Sequence, residues 1–161
     1  MHRLIAILLV LLILVLPATA LAQGSTSGVI QGQVVNGTEG GGSVAGVAVT
    51  LITYINNMVT ETKTAKTDTD GKFQFDNIVT GHEYVVSARY MDVDYYYPVD
   101  FEAGETMTYI EVGVCDTTTS DEAIRIRVAH NIISVEQESM LVTEIFKLVN
   151  EGDRTYVGTD G

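Results

Sequence analysis

The stretch TDTDGKFQF, Thr67 to Phe75, sets two aspartates and a glycine directly ahead of two alternating phenylalanines. An Asp-Gly step supplies positive φ where a chain must reverse, and an aspartate just before it can accept hydrogen bonds from the loop backbone. Phe73 and Phe75 lie two residues apart, so in an extended chain they share one face. The stretch reads as a structural turn at an exposed hairpin tip, made by Asp68, Asp70 and Gly71, that delivers a strand to a core.

The same period of two runs outward in both directions. Upstream, VIQGQVV (29–35) alternates, NGTEGGGS (36–43) is dense in turn formers, and VAGVAVTLITY (44–54) puts Val47, Val49 and Leu51 on one face. MVTETKTAKT (58–67) is polar and threonine-rich, with lysines that suit a sheet edge. Downstream, YVVSARY (84–90) points Tyr84, Val86, Ala88 and Tyr90 one way, and YYYPVDF (95–101) points Tyr95, Tyr97, Val99 and Phe101 one way, with Pro98 suited to an edge strand. MTYIEVGVC (107–115) follows a turn at FEAGET. Seven short strands with turn signals between them predict an all-β, antiparallel sandwich over residues 29–115.

Either side of that unit the composition changes. Residues 1–22 have the three parts of a secretory signal: Arg3, an unbroken apolar run from Leu4 to Leu16, and ATALA after Pro17. The run of 13 residues is short of the roughly 20 that span a bilayer as a helix. Residues 23–28 read as a flexible leader, and DTTTSDE (116–122), without an apolar residue, reads as a linker. Residues 123–161 are again β-patterned, with NEGD (150–153) as a hairpin turn between the last two strands. This piece is too small to hold a core of its own. It either docks onto the sandwich or opens a second β domain, and the abrupt stop at TDG favours a partial, truncated domain.

Removal of the leader leaves eight basic against 21 acidic side chains, a formal charge of −13. Such a field repels phosphate backbones and argues against nucleic acid and anionic membrane surfaces as partners. Cys115 is the only cysteine of an exported chain, so no internal disulfide forms, and it reads as a structural thiol.

GQVVNGTEGGGSVAGVAVTLI and TDTDGKFQFDNIVTGHEYVVSARY together resemble the carboxypeptidase regulatory-like domain. The matching elements are Gly32 to Val34, Gly46 to Leu51, Thr67 to Phe75, and Gly81 with Tyr84 and Val85. The resemblance implies a prealbumin-like or immunoglobulin-like Greek-key sandwich within a carbohydrate-binding-like fold group, used as an accessory module of exported bacterial-type proteins. His82 and Glu83 lengthen one loop relative to the family pattern. Residues 123–161 resemble the continuation of such proteins, in which a second β domain and a membrane anchor can follow, so any anchoring is expected only through a segment beyond this chain.

No catalytic, cofactor or metal site is expected. If Gly71 is set at the sixth position of a calcium loop, Lys66 falls at the first and Asn77 at the twelfth, where acids are needed. His82-Glu83 would open a zinc motif, but the second histidine position is Val86, and His130 alone remains in the mature chain. The first strand has no lysine for an isopeptide crosslink, Lys63, Lys66 and Lys72 lying in polar strands or turns. The histidine and arginine set of a transthyretin-like hydrolase is missing, and no serine has a nucleophile-elbow setting. The expected function is that of a non-catalytic, cell-envelope or secreted module with a structural or protein-contact role. The alternative is a carbohydrate-binding module that stacks sugars on Tyr90, Tyr95, Tyr96 and Tyr97.

Overall fold

A computed structural model describes residues 27–159, so the expected signal, residues 1–22, and most of the expected leader lie outside the described residues. Eleven strands follow in order: β1 (Ser27–Asn36), β2 (Ala48–Ile55), β3 (Met58–Lys66), β4 (Lys72–Val79), β5 (Glu83–Tyr90), β6 (Val93–Val99), β7 (Met107–Val114), β8 (Thr117–Thr118), β9 (Ile124–Val135), β10 (Met140–Asn150) and β11 (Thr155–Tyr156). The first seven form two sheets, one ordered β4-β1-β7 and the other β3-β2-β5-β6. They face each other as a β-sandwich.

Alternation decides what lies between the sheets. Ile30 and Val34 of β1, Phe73 and Phe75 of β4, and Val112 and Val114 of β7 point inward from one sheet. Val49 and Leu51 of β2 and Tyr84, Val86, Ala88 and Tyr90 of β5 meet them from the other. In β4 the period slips at Asn77, which takes φ 57°, and Ile78 rather than Asn77 becomes buried. A bulge in the β1–β4 pairing accommodates the slip.

Three connections differ from the sequence expectation. β7 lies beside β1 in parallel, Val29 to Met107 through Asn36 to Val114, so the sandwich is not wholly antiparallel. The chain leaves β6 in one sheet and enters the other sheet beside β1, running in the same direction. The Asp-Gly turn does not tip a hairpin, because β3 and β4 belong to different sheets and the turn carries the chain from one to the other. The segment NEGD joins β10 to β11 without making them a hairpin, since β11 pairs in parallel with β8.

Two tight hairpins lie where the sequence carries no Gly or Pro turn signal. Asn56-Asn57 between β2 and β3, and Met91-Asp92 between β5 and β6, hold both central residues at positive φ, the geometry that matches the right-handed twist of paired strands. The threonine-rich β3 and the Pro98-bearing β6 are the two edges of their sheet, where lysines discourage further pairing and a missing N–H costs nothing to the ladder.

At the inter-sheet turn, Asp68 Oδ1 accepts from the backbone N–H of Asp70 at 2.9 Å and of Lys72 at 2.8 Å. Thr67 Oγ1 donates to Val44 O at 2.6 Å and accepts from Val47 N at 2.8 Å, which ties the turn to the start of β2. Gly71 has φ +78° and its carbonyl accepts from Val34 N at 2.8 Å, fastening the turn to β1. Asp70 is exposed and pairs only loosely with Lys72, at 3.7 Å.

Candidate interaction site

The alternation of β5 and β6 sends the tyrosines to opposite faces, and the sheet neighbours decide their fate. Tyr90 is buried. Tyr95 and Tyr97 are half-buried, with hydroxyls bonded to Cys115 O at 2.9 Å and Gly113 O at 3.0 Å. Tyr96 alone of the four is open, on the outer face opposite Ser87. Three of these rings close the sandwich, so of the four possible ligand contacts only Tyr96 presents an open face.

Tyr90 instead belongs to a polar junction at one end of the sandwich. Asp116 is only 8% exposed, and its Oδ1 accepts from Asn36 Nδ2 at 2.8 Å, Tyr90 OH at 2.9 Å and Gly42 N at 3.1 Å. Arg154 approaches Oδ2 at 3.6 Å. The Asn36 amide, then the Gly42 N–H, with Tyr90 and Arg154 adding, hold the Asp116 carboxyl below its ordinary range against the opposing effect of burial. Burial first, then the hydrogen bond to Asp116 and its charge, push the Tyr90 hydroxyl up.

This junction roots the C-terminal part. Thr38 Oγ1 accepts from Asp116 N at 2.9 Å and donates to Asp153 O at 2.8 Å, and Thr155 N donates to Asp116 O at 2.8 Å. At its start the run 116–122 is thus fastened to the sandwich rather than free, and its Thr117 and Thr118 pair with Thr155 and Tyr156 as β8 and β11. Cys115, immediately before it, is a half-buried free thiol.

From that root β9 and β10 leave as a two-stranded antiparallel arm, closed at the base by Glu151 N to Ala123 O at 2.9 Å and at the tip by Glu136 N to Ser139 O at 2.9 Å. A strand of 12 residues spans about 40 Å. Only Ile124 and Val149, at the base, are even partly covered; every other arm residue is exposed. Cross-strand register assigns the faces. On one face lie the pairs Val135/Met140, Ile133/Val142, Asn131/Glu144, Ala129/Phe146 and, beyond a bulge at Arg127, Ile126/Leu148. On the other face each pair joins an apolar residue to a polar one, as in Ser134/Leu141, Ile132/Thr143 and Val128/Lys147. Period two is the same whether or not a second layer covers a strand, so the sequence shows β-patterned strands here but not a projecting arm.

The outer face of β4-β1-β7 holds an open groove of about 520 Å³ lined by Gln31, Gln74, Lys72 and Tyr109 among others. Its amides already satisfy one another, Gln31 Nε2 donating to Gln74 Oε1 at 2.8 Å and Gln74 Nε2 to Asp76 Oδ1 at 2.7 Å. His82 lies beside Tyr84 with ring centroids 6.4 Å apart, whereas His130 sits on the arm, so the structure does not bring the two together. Among the described residues no three His, Cys, Asp or Glu side chains gather as a metal site.

Residues 28–95 match the family model described as the second beta-sandwich domain of the BOS complex subunit NOMO1-like proteins. That span begins in β1 and ends within β6, so the likeness is to most of the sandwich and excludes the arm. Among solved structures, a DUF3823 family protein from Parabacteroides merdae ATCC 43184 is similar at 14% identity and a TM-score of 0.44, over 76% of this chain and 59% of that one. This chain therefore spans about 59% of that protein's length. No curated protein matches it.

Proposed function

We propose that this chain is an exported, non-catalytic β-sandwich module of the carboxypeptidase regulatory-like, Greek-key kind, acting at the cell envelope through protein contact. The arm β9–β10 is its contacting element. One observation carries this reading: the sandwich closes its own core, while the arm leaves eleven large apolar side chains between Ile126 and Leu148 exposed. A two-stranded hairpin is marginal in water by itself, and a patch of this kind on a soluble chain marks a surface that another molecule covers. Export rests on Arg3 and the apolar run that follows it. The negative charge and the central Glu144 of the arm favour a protein over an anionic lipid surface.

Photo-crosslinking in the cells that make the protein tests this directly. A photoreactive residue in place of Phe146 is expected to give discrete protein adducts, and the same residue in place of Tyr96, exposed on the sandwich, is expected to give none. Adducts to lipid alone, or none from position 146, would overturn the reading.

A further inference from the structure

We propose that the partner of the arm is the arm of a second copy of this chain, the two packed face to face through the Val135-to-Leu148 face. This rests on the reading of the arm as a contact element and names its occupant.

The first argument is the pattern of that face. Reading from tip to base, two apolar pairs (Val135/Met140, Ile133/Val142) are followed by one polar pair, Asn131/Glu144, and then by two more apolar pairs. An amide donor thus stands beside a carboxylate acceptor at the centre of an otherwise apolar surface. A two-fold contact uses the same patch on both partners, residue i meeting j while j meets i. With the axis along the arms, β9 of one copy lies over β10 of the other, and each residue meets the copy of its own cross-strand neighbour. Asn131 then donates to Glu144 of the other copy twice over, and Phe146 fills the space above the small Ala129. An axis across the arms would stack Glu144 on Glu144, two like charges removed from water, so it is disfavoured.

Area is the second argument. Seven large apolar side chains on this face are between 45 and 77% exposed. At roughly 100 Å² apiece, the surface that burial of such a side chain removes from water, they amount to about 700 Å². A stable interface takes about 800 Å² from each partner, and the largest apolar patch on an ordinary monomer is about 300–600 Å². Two arms packed about 10 Å apart close both patches at once and supply the second layer that each hairpin lacks. The opposite face, with a polar member in every pair, is suited to water.

Sedimentation equilibrium of the chain lacking residues 1–22, over a concentration range of about 1–100 µM, tests the proposal at interface affinities of ordinary strength. The expected result is a dimer. Phe146→Lys should weaken it about 100-fold, the effect of removing a central aromatic anchor and burying a charge, while Ile132→Lys, on the opposite face of the same arm, should change it less than about threefold. Because either variant can loosen the arm itself, cysteine crosslinking provides a second reading. In a Cys115→Ser background, chains carrying Ile133→Cys should join chains carrying Val142→Cys through a bismaleimide linker that spans the gap of about 10 Å, wider than a disulfide reaches. A monomer throughout the range, a dimer indifferent to Phe146→Lys, or no such crosslink would overturn it. Failure here is separable from failure of the broader reading: photo-adducts from position 146 at a mass other than twice that of the chain would sink the second copy and leave protein contact standing.

Discussion

Replacing Gly71 by alanine asks whether the inter-sheet turn holds the sandwich as its geometry indicates. Gly71 has φ +78°, and an added Cβ would lie 2.5 Å from Val34 O and 2.9 Å from Val44 Cγ2. Two costs follow. A non-glycine residue at positive φ costs about 1–2 kcal/mol. The Val34 carbonyl belongs to β1, central in its sheet, so relief must come from the turn, which strains the 2.8 Å bond from Val34 N to Gly71 O, itself worth about 1 kcal/mol, and the packing beside it. Together these give a loss of about 2–4 kcal/mol, a large part of the roughly 5–15 kcal/mol that a domain commands. Gly40→Ala is the internal control, since Gly40 also has positive φ, +64°, but nothing lies within 4 Å of its added Cβ. It should lose only the backbone term. Urea unfolding followed by near-ultraviolet circular dichroism suits a chain with eight tyrosines and no tryptophan. Equal losses in the two variants would refute the steric argument and leave only the φ term.

Other outcomes follow from the junction and the arm. Asp116 has a folded-state pKa below its unfolded value of about 3.9, so the stability it contributes is present above that value and is lost as pH falls through the folded one. Asp116→Asn should flatten the acid limb of an unfolding profile measured between roughly pH 5 and pH 2, and an unchanged limb would count against the junction. Tyr90, raised by burial and by Asp116, contributes stability that is present below about pH 10 and lost as pH rises through its higher folded value; in a spectrophotometric titration it should ionise late, and earlier in Asp116→Asn. Deleting residues 124–150, with Ala123 and Glu151 already hydrogen-bonded neighbours, should shift the sandwich's unfolding midpoint by less than about 1 kcal/mol, because every core residue lies in or beside β1–β7. A collapse of the near-ultraviolet signal would show that the arm supports the core.

Residue by residue, the sequence reached as far as the faces of strands. Val49, Leu51, Tyr84, Val86 and Ala88 were legible as core because a half-buried strand must alternate and each of these sits in phase. TDTDG was legible as a turn because positive φ and an aspartate acceptor are local requirements, satisfied within five residues. The same local logic could have found Asn56-Asn57, whose side chains tolerate the left-handed region, but Met91-Asp92 carries no such mark. Tyr90, Tyr95 and Tyr97 illustrate the limit. Their direction was readable, but whether an inward tyrosine stacks on a ligand or bonds to Asp116, Cys115 and Gly113 depends on residues 16 to 26 positions away.

What the sequence by itself determined is therefore an all-β chain with its inward residues and its punctuating turn, since these follow from a period of two and from backbone sterics. Only the tertiary structure decided which strands are neighbours, that β7 runs parallel to β1, that the turn crosses between sheets, and that Asp116 anchors an arm. Pairing partners are fixed by contacts remote in sequence, and alternation is identical for a strand under a second layer and for one that stands in water. That is why the apolar residues of β9 and β10 alternate in the sequence as core residues do, yet stand exposed in the fold.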